Sequence, residues 1–331
     1  MKKILAMLLA LVMVLSLAAC ASTQPAAEPA ASSDAPAESG KTYTVGVCQL
    51  VQHEALDAAT QGFVDALKEE LGDAVTVDVQ NASGDSVNCT TIINGFVSSK
   101  VDLIMANATP ALQAAASATS EIPILGTSVT DYAYALEIDG WTGTVGGNIS
   151  GTSDLAPLDQ QAAMIQELFP DAKNIGLLYC SAEPNSQYQV DEMTKYLTEL
   201  GLTATAFAFT DTNDVASVAQ AACDASDVIY IPTDNTAASN TEAIANVLIP
   251  AGVPAICGEE GLCRGCGVAT LSISYYDLGV TTGKMAAKIL KGEANISEMP
   301  VEYTDATPKY NASICDQLGI TPLDGYEAID G

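Results

Sequence analysis

Cationic side chains are scarce in this chain of 331 residues: 12 Lys and Arg stand against 41 Asp and Glu, and Arg264 is the sole arginine. The net charge of −29 repels phosphate backbones and anionic membrane surfaces, which excludes nucleic acid as a partner. His53 is the only histidine, and no Ser or Cys nucleophile is identifiable beside it. There is no GxSxG, no P-loop and no metal-binding His pair. The glycine of the Val45-Gly46-Val47-Cys48 run does not open a dinucleotide fingerprint, which requires GxGxxG leading into a helix. No metal or cofactor is therefore expected, and an enzyme is disfavoured. What remains is a globular chain, 48% hydrophobic, long enough for two domains.

The N-terminus has the form of an address. Lys2 and Lys3 precede a sixteen-residue apolar run, 4–19, whose only polar member is Ser16. The run is shorter than the ~20 residues that a spanning helix needs and ends in small residues, as a secretory signal does. Leu17-Ala18-Ala19-Cys20 resembles the bacterial lipobox, which implies acylation of Cys20 and membrane attachment through it. Residues 21–40 hold seven Ala, four Ser and three Pro with no large apolar side chain, the composition of a flexible tether. The expected division is a signal peptide over 1–19, then the lipidated Cys20 and tether over 20–40, then a globular body. Eight further cysteines lie in that body. Their scatter does not suggest a disulfide framework, and a single CxxC (Cys263 to Cys266) with no second pair favours buried thiols over a zinc knuckle.

Within the body, strands and helices alternate. Short β-rich runs at 42–48, 75–79, 101–106 and 122–125 are separated by helical patterns at 53–71, 87–97 and 110–119. The alternation restarts with helices at 157–169, 185–200, 215–223, 236–249 and 276–291. Between them lie strands at 174–179, 203–209, 228–232, 254–257 and 267–272. Such βαβ repetition calls for α/β architecture, two doubly wound parallel-sheet lobes with helices on both faces. Ligands of such sheets sit beyond the carboxyl ends of the strands. Those ends carry Gln49 and Gln52, then Thr109, then Ser128 in the first half. In the second half they carry Asn185, then Thr233 and Asp234, then Glu260. Each polar residue could simply cap its own helix. Asp234 follows an apolar strand directly, where an uncompensated carboxylate is costly, so it either caps the next helix or holds an ammonium. Asp154, where the chain passes between units, is the second acidic candidate beside a turn role. His53 reads as a rim or capping residue.

Four stretches carry a resemblance to a known family: 45–63 (VGVCQLVQHEALDAATQGF), 151–157 (GTSDLAP), 231–235 (IPTDN) and 267–279 (GVATLSISYYDLG). With the lipobox they resemble the ABC-transporter substrate-binding lipoproteins of the tryptophan/tyrosine-binding group, related to the type I periplasmic binding proteins. The resemblance implies two lobes joined by three crossings near Ser150, Ser274 and Ala306. Lobe 1 would be 41–150 plus 274–306, and lobe 2 would be 151–273 plus 307–331. It implies Thr109 and Ser128 on the α-carboxylate of an amino acid and Asp234 or Asp154 on its ammonium. Gln49, Gln52, Asn185, Thr233 and Glu260 would line the cleft. It further implies a monomer serving an ABC permease from the outer face of the cytoplasmic membrane of a Gram-positive-type bacterium. The Cys263-Arg264-Gly265-Cys266 stretch departs from the family pattern. The alternatives are another small solute (a branched amino acid, nucleoside or sugar) on the same fold, or a surface adhesin.

Overall fold

The computed structural model describes residues 41–329; the signal-like run, Cys20 and the tether lie outside the described residues. Two sheets organise the chain. The first is built from β1 (Tyr43–Gln49), β2 (Val75–Asn81), β3 (Leu103–Asn107), β4 (Ile124–Val129) and β5 (Ile149–Ser153), with the late strand β11 (Glu302–Tyr303) at its edge. Its order is β2-β1-β3-β4-β5-β11, every pairing parallel. Helices α1 (Glu54–Leu71), α2 (Ser86–Ser99), α3 (Thr109–Ala118) and the single turn α4 (Tyr132–Ala135) connect its strands.

The second sheet takes β6 (Asn174–Cys180), β7 (Thr203–Phe209), β8 (Val228–Ile231), β9 (Ala255–Cys257), β10 (Ala269–Ile273), β12 (Ala306–Tyr310) and β13 (Glu327–Ala328). Its order is β7-β6-β8-β9-β10-β12-β13, parallel except for the β10–β12 pair. Its helices are α5 (Leu158–Leu168), α6 (Pro184–Glu199), α7 (Val215–Ala225), α8 (Asn235–Ala238), α9 (Thr241–Ala251), α10 (Glu260–Cys266) and α12 (Ala312–Leu318). α11 (Tyr275–Lys291) leaves the second sheet and packs along α1 on the first.

Each sheet is covered on both faces, as parallel sheets require. Val45, Val47, Leu103 and Met105 pack under α1 and α11 with Phe63, Leu67 and Met285. The alternate residues Cys48, Ile104 and Ala106 face α2 and α3 with Ile93, Phe96 and Leu112. The second sheet divides likewise between α5–α6 and α7–α9–α10. All eight cysteines of the described residues are buried and free.

The first change of sheet falls after Ser153, three residues beyond the expected boundary near Ser150. Gly151, one residue past that expected boundary, is inside β5. There φ is +147°, and a Cβ would lie 2.1 Å from the Gly126 carbonyl and 2.3 Å from Tyr132 Oη. The glycine lets β5 lie against β4. The later chain returns to the first sheet through α11 and β11 and departs again into β12, so Ala306 starts a second-sheet strand.

α1 and α11 touch backbone to backbone. A Cβ on Gly279 would sit 2.0 Å from the Ala59 carbonyl oxygen. Gly279→Ala is therefore expected to wedge the helices apart, costing about 1–3 kcal/mol and several degrees of Tm. Thermal denaturation checks this, and an unchanged Tm would contradict so close an approach.

Candidate functional site

The carboxyl ends of the two sheets face each other, and the segments that leave them enclose two cavities. The outer one, about 310 Å³, lies between Val51, Ser83 and Gly84 of the first lobe and Glu183, Thr210 and Asn240 of the second. The inner one lies nearer the crossings and is nearly filled by its own lining, with about 10 Å³ left, room for roughly one water. Its first-lobe wall comes from His53 and Leu56 at the start of α1, Ser128 and Thr130 at the end of β4, and Tyr275 at the start of α11. Asp154 enters directly after β5. Asn185, Thr233, Asp234, Ala238 and Glu259 form the second-lobe wall.

Five buried polar atoms around the inner cavity have no hydrogen-bond partner: His53 Nδ1, Ser128 Oγ, Asp154 Oδ1, Asn185 Oδ1 and Thr233 Oγ1. Buried polar groups are normally paired, because leaving one unpaired costs about 1–3 kcal/mol. Five on one cavity mark a place prepared for a polar guest. Ser128 adds backbone strain, with φ at +53°; such conformations concentrate at ligand sites.

Three carboxyls on the wall are buried, and their environments differ. Asp234 Oδ1 accepts from Ala237 N at 2.8 Å and Oδ2 from Cys180 N at 2.6 Å, so it caps α8 with both oxygens engaged. Burial, reinforced by the charge of Glu183, pushes its pKa up to about 7. Glu259 caps α10 through Leu262 N and Gly261 N, both at 2.6 Å, and burial raises it to about 7. Asp154 caps no helix. Tyr275 Oη donates to its Oδ2 at 2.8 Å, Oδ1 is unpaired, and burial raises its pKa to about 6. Asp154 is thus the carboxylate with an oxygen free for a ligand cation.

The other expected residues sit elsewhere. Gln49 is buried within the first lobe, donating to Val51 O (2.8 Å) and Asp57 (2.6 Å) and accepting from Thr60 Oγ1 (2.6 Å). Gln52 is exposed. Thr109 is buried at the first turn of α3, and neither cavity reaches it. Glu260 points out to Lys309 (2.6 Å) and Arg264 (2.8 Å), and its neighbour Glu259 takes the place on the wall. Glu259 and Tyr275 escaped the sequence reading. The signal for Tyr275 was the Ser274-x-x-Asp277 box, since Ser274 Oγ accepts from Asp277 N and fixes the first turn of α11.

The lobes are latched shut across the cleft. His53 occupies the N-cap position of α1 at the cavity rim without a side-chain cap bond, and its Nε2 meets Asn235 Oδ1 of the second lobe at 3.2 Å. Arg264, in the stretch that departs from the family pattern, reaches Glu54 of α1 at 3.2 Å. The rings of Tyr134 and Tyr188 face each other with centroids 5.3 Å apart.

The model of one family, ABC transporter substrate binding protein, matches residues 44–325, nearly the whole described body. The chain belongs to that family. A curated member, the tyrosine-binding protein of Clostridioides difficile strain R20291, is 34% identical over 310 residues, 92% of this chain and 89% of that protein. Among solved ABC substrate-binding proteins, a domain from Streptococcus pneumonia in complex with L-Trp is 34% identical. It superimposes with a TM-score of 0.82 over 87% of this chain and 100% of its own. The ligand-free, open structure of a Clostridium difficile substrate-binding protein with adhesive properties is 35% identical over 87% of this chain and 99% of its own. Its TM-score is only 0.67. The fold is that of the type I periplasmic binding proteins. ABC substrate-binding proteins bind solute outside the cytoplasm and are not enzymes as a family.

Proposed function

We propose that the chain captures an aromatic amino acid, tryptophan or tyrosine, between its lobes and delivers it to an ABC permease. In this reading it is held on the outer face of the membrane through Cys20. The five unpaired polar atoms around the inner cavity carry the proposal; the lobes must part to admit a guest of that size. No Lys or Arg lines that cavity, so the guest brings its own positive charge, and a zwitterion supplies both signs. Asp154 Oδ1 accepts from the α-ammonium, a charge-assisted bond in a dry site. The hydroxyls of Ser128 and Thr233, one from each lobe, donate to the α-carboxylate. Leu56, Ala238 and the Tyr275 ring give apolar surface to the side chain. Because each lobe holds part of the set, ligand affinity is realised only on closure, and the mechanism is hinge closure without chemistry.

Native mass spectrometry of the purified protein, followed by a thermal-shift panel of amino acids, tests the reading. Saturation at a hundredfold excess over Kd adds about 2.7 kcal/mol, so tryptophan or tyrosine is expected to raise Tm by several degrees. If neither aromatic nor branched amino acids raise it, the ligand assignment fails.

A further inference from the structure

We propose that His53, the only histidine of the chain, is a specificity-determining residue that accepts a hydrogen bond from the ligand at Nδ1 while its Nε2–H holds Asn235 of the opposite lobe. The proposal rests on the amino-acid reading above, and it makes one imidazole both a ligand contact and a latch.

The proton's position follows from the partners. Glu183 is buried, and its oxygens accept from Asn235 N (3.0 Å), Asn235 Nδ2 (2.7 Å), Thr236 N (2.8 Å) and Thr236 Oγ1 (2.7 Å). A carboxylate engaged in this way only accepts, so the Asn235 amide must present its NH₂ to Glu183 and its Oδ1 to His53. Oδ1 in turn only accepts, so His53 Nε2 carries the hydrogen of their 3.2 Å bond. In a neutral imidazole the other nitrogen is then bare. Burial holds this ring below the usual histidine pKa, although the Asn235 bond and the charges of Glu183 and Asp57 pull the other way. The result is a buried lone pair at Nδ1 that no protein donor meets, on the wall of the inner cavity.

An aromatic amino acid has donors to offer it: an indole N–H or phenol O–H on the ring, or the α-ammonium. The network also fixes the order of events. Asn235 is held in place by Glu183 whether the cleft is open or closed, because Glu183, Asn235 and Thr236 all belong to the second lobe. His53 arrives from the first lobe. Closure therefore sets the tautomer, and the tautomer makes Nδ1 an acceptor. A ligand lacking a donor at that point leaves the nitrogen desolvated and unpaired, which penalises the closed state specifically.

A single histidine makes the test direct. Untagged protein labelled with ¹⁵N-histidine gives one imidazole, whose long-range ¹H–¹⁵N spectrum reports which nitrogen is protonated and which accepts a bond. With tryptophan or tyrosine bound, as shown separately by calorimetry, the expected pattern is a protonated Nε2 and a bare Nδ1. The Nδ1 resonance should move upfield relative to the ligand-free protein. If 1-methyltryptophan binds without that shift, the ring N–H is the donor; if the shift persists, the ammonium is. His53→Ala is expected to weaken affinity about tenfold, and Asn235→Ala is expected to remove the Nε2–H signature. Calorimetric binding together with a protonated Nδ1, or with an Nδ1 resonance indifferent to ligand, would overturn the role of His53 and leave the amino-acid reading standing. Failure of every aromatic amino acid to bind would overturn both.

Discussion

Asp154→Asn is expected to lose most of the affinity for the aromatic amino acid while leaving the ligand-free protein at least as stable as before. Removing one partner of a buried charge-assisted contact costs about 2–5 kcal/mol, at least about thirtyfold in Kd. The asymmetry with stability follows from the same carboxylate. In the ligand-free protein Oδ1 has no partner and burial holds the pKa near 6, so the ionised group is a burden that the neutral amide relieves. Asparagine keeps the shape and can still accept from Tyr275 Oη. Calorimetry and thermal denaturation read the two effects separately. A Kd within about threefold of the original would place the ammonium elsewhere, and a lower Tm in the absence of ligand would mean that Asp154 is structural.

A second large effect concerns pH. Asp154 (about 6), Asp234 (about 7) and Glu259 (about 7) all titrate above their ordinary range because burial disfavours the charged form. Between the unfolded and folded pKa values the folded chain holds more protons, so stability falls as pH rises through that window. Each unit of such elevation corresponds to about 1.4 kcal/mol. His53 acts oppositely, since its pKa is lowered, but it is one group against three. Ligand-free protein is therefore expected to melt several degrees higher at pH 5 than at pH 8. Affinity has the opposite slope. An ammonium needs Asp154 ionised, so Kd should rise about tenfold per unit below pH 6. Parallel melting and titration series over pH 5–8 check both. Stability that rises with pH would show that these carboxyls are not held protonated.

The two-lobed α/β architecture was legible because its long elements repeat their patterns. α1 buries Leu56, Ala59, Phe63, Ala66 and Leu67 on one face, and β3 is buried throughout, apolar up to Asn107. The short elements were not. β5 (ISGTS) carries small and polar residues and becomes a strand by pairing with β4 and β11. α10 lay under a CxxC pattern. The helix expected over 236–249 is two, α8 and α9, separated at Ser239–Asn240. β11 and β13 are two-residue edge strands, and β12 joins by an antiparallel pairing, none of which a local pattern announces. At the site, strand ends and residue types picked out Ser128, Asp154, Asn185, Thr233 and Asp234, which line one cavity from both lobes. The sequence could not say which side chain turns inward. Neighbouring positions at a helix start differ by about 100°, which is why Glu259 faces the cavity and Glu260 faces Lys309. Nor could it show that Asp234 would be engaged by Cys180 N, from a strand 54 residues earlier.

The return of α11 and β11 to the first sheet and of β12, α12 and β13 to the second has a bearing on biosynthesis. Neither half can be completed in the order in which it emerges. After Ser153 the nascent first half still lacks the helix that shields Val45, Leu103 and Met105, and that cover is supplied more than a hundred residues later. Nearly the entire polypeptide must therefore emerge before either half holds all of its own elements.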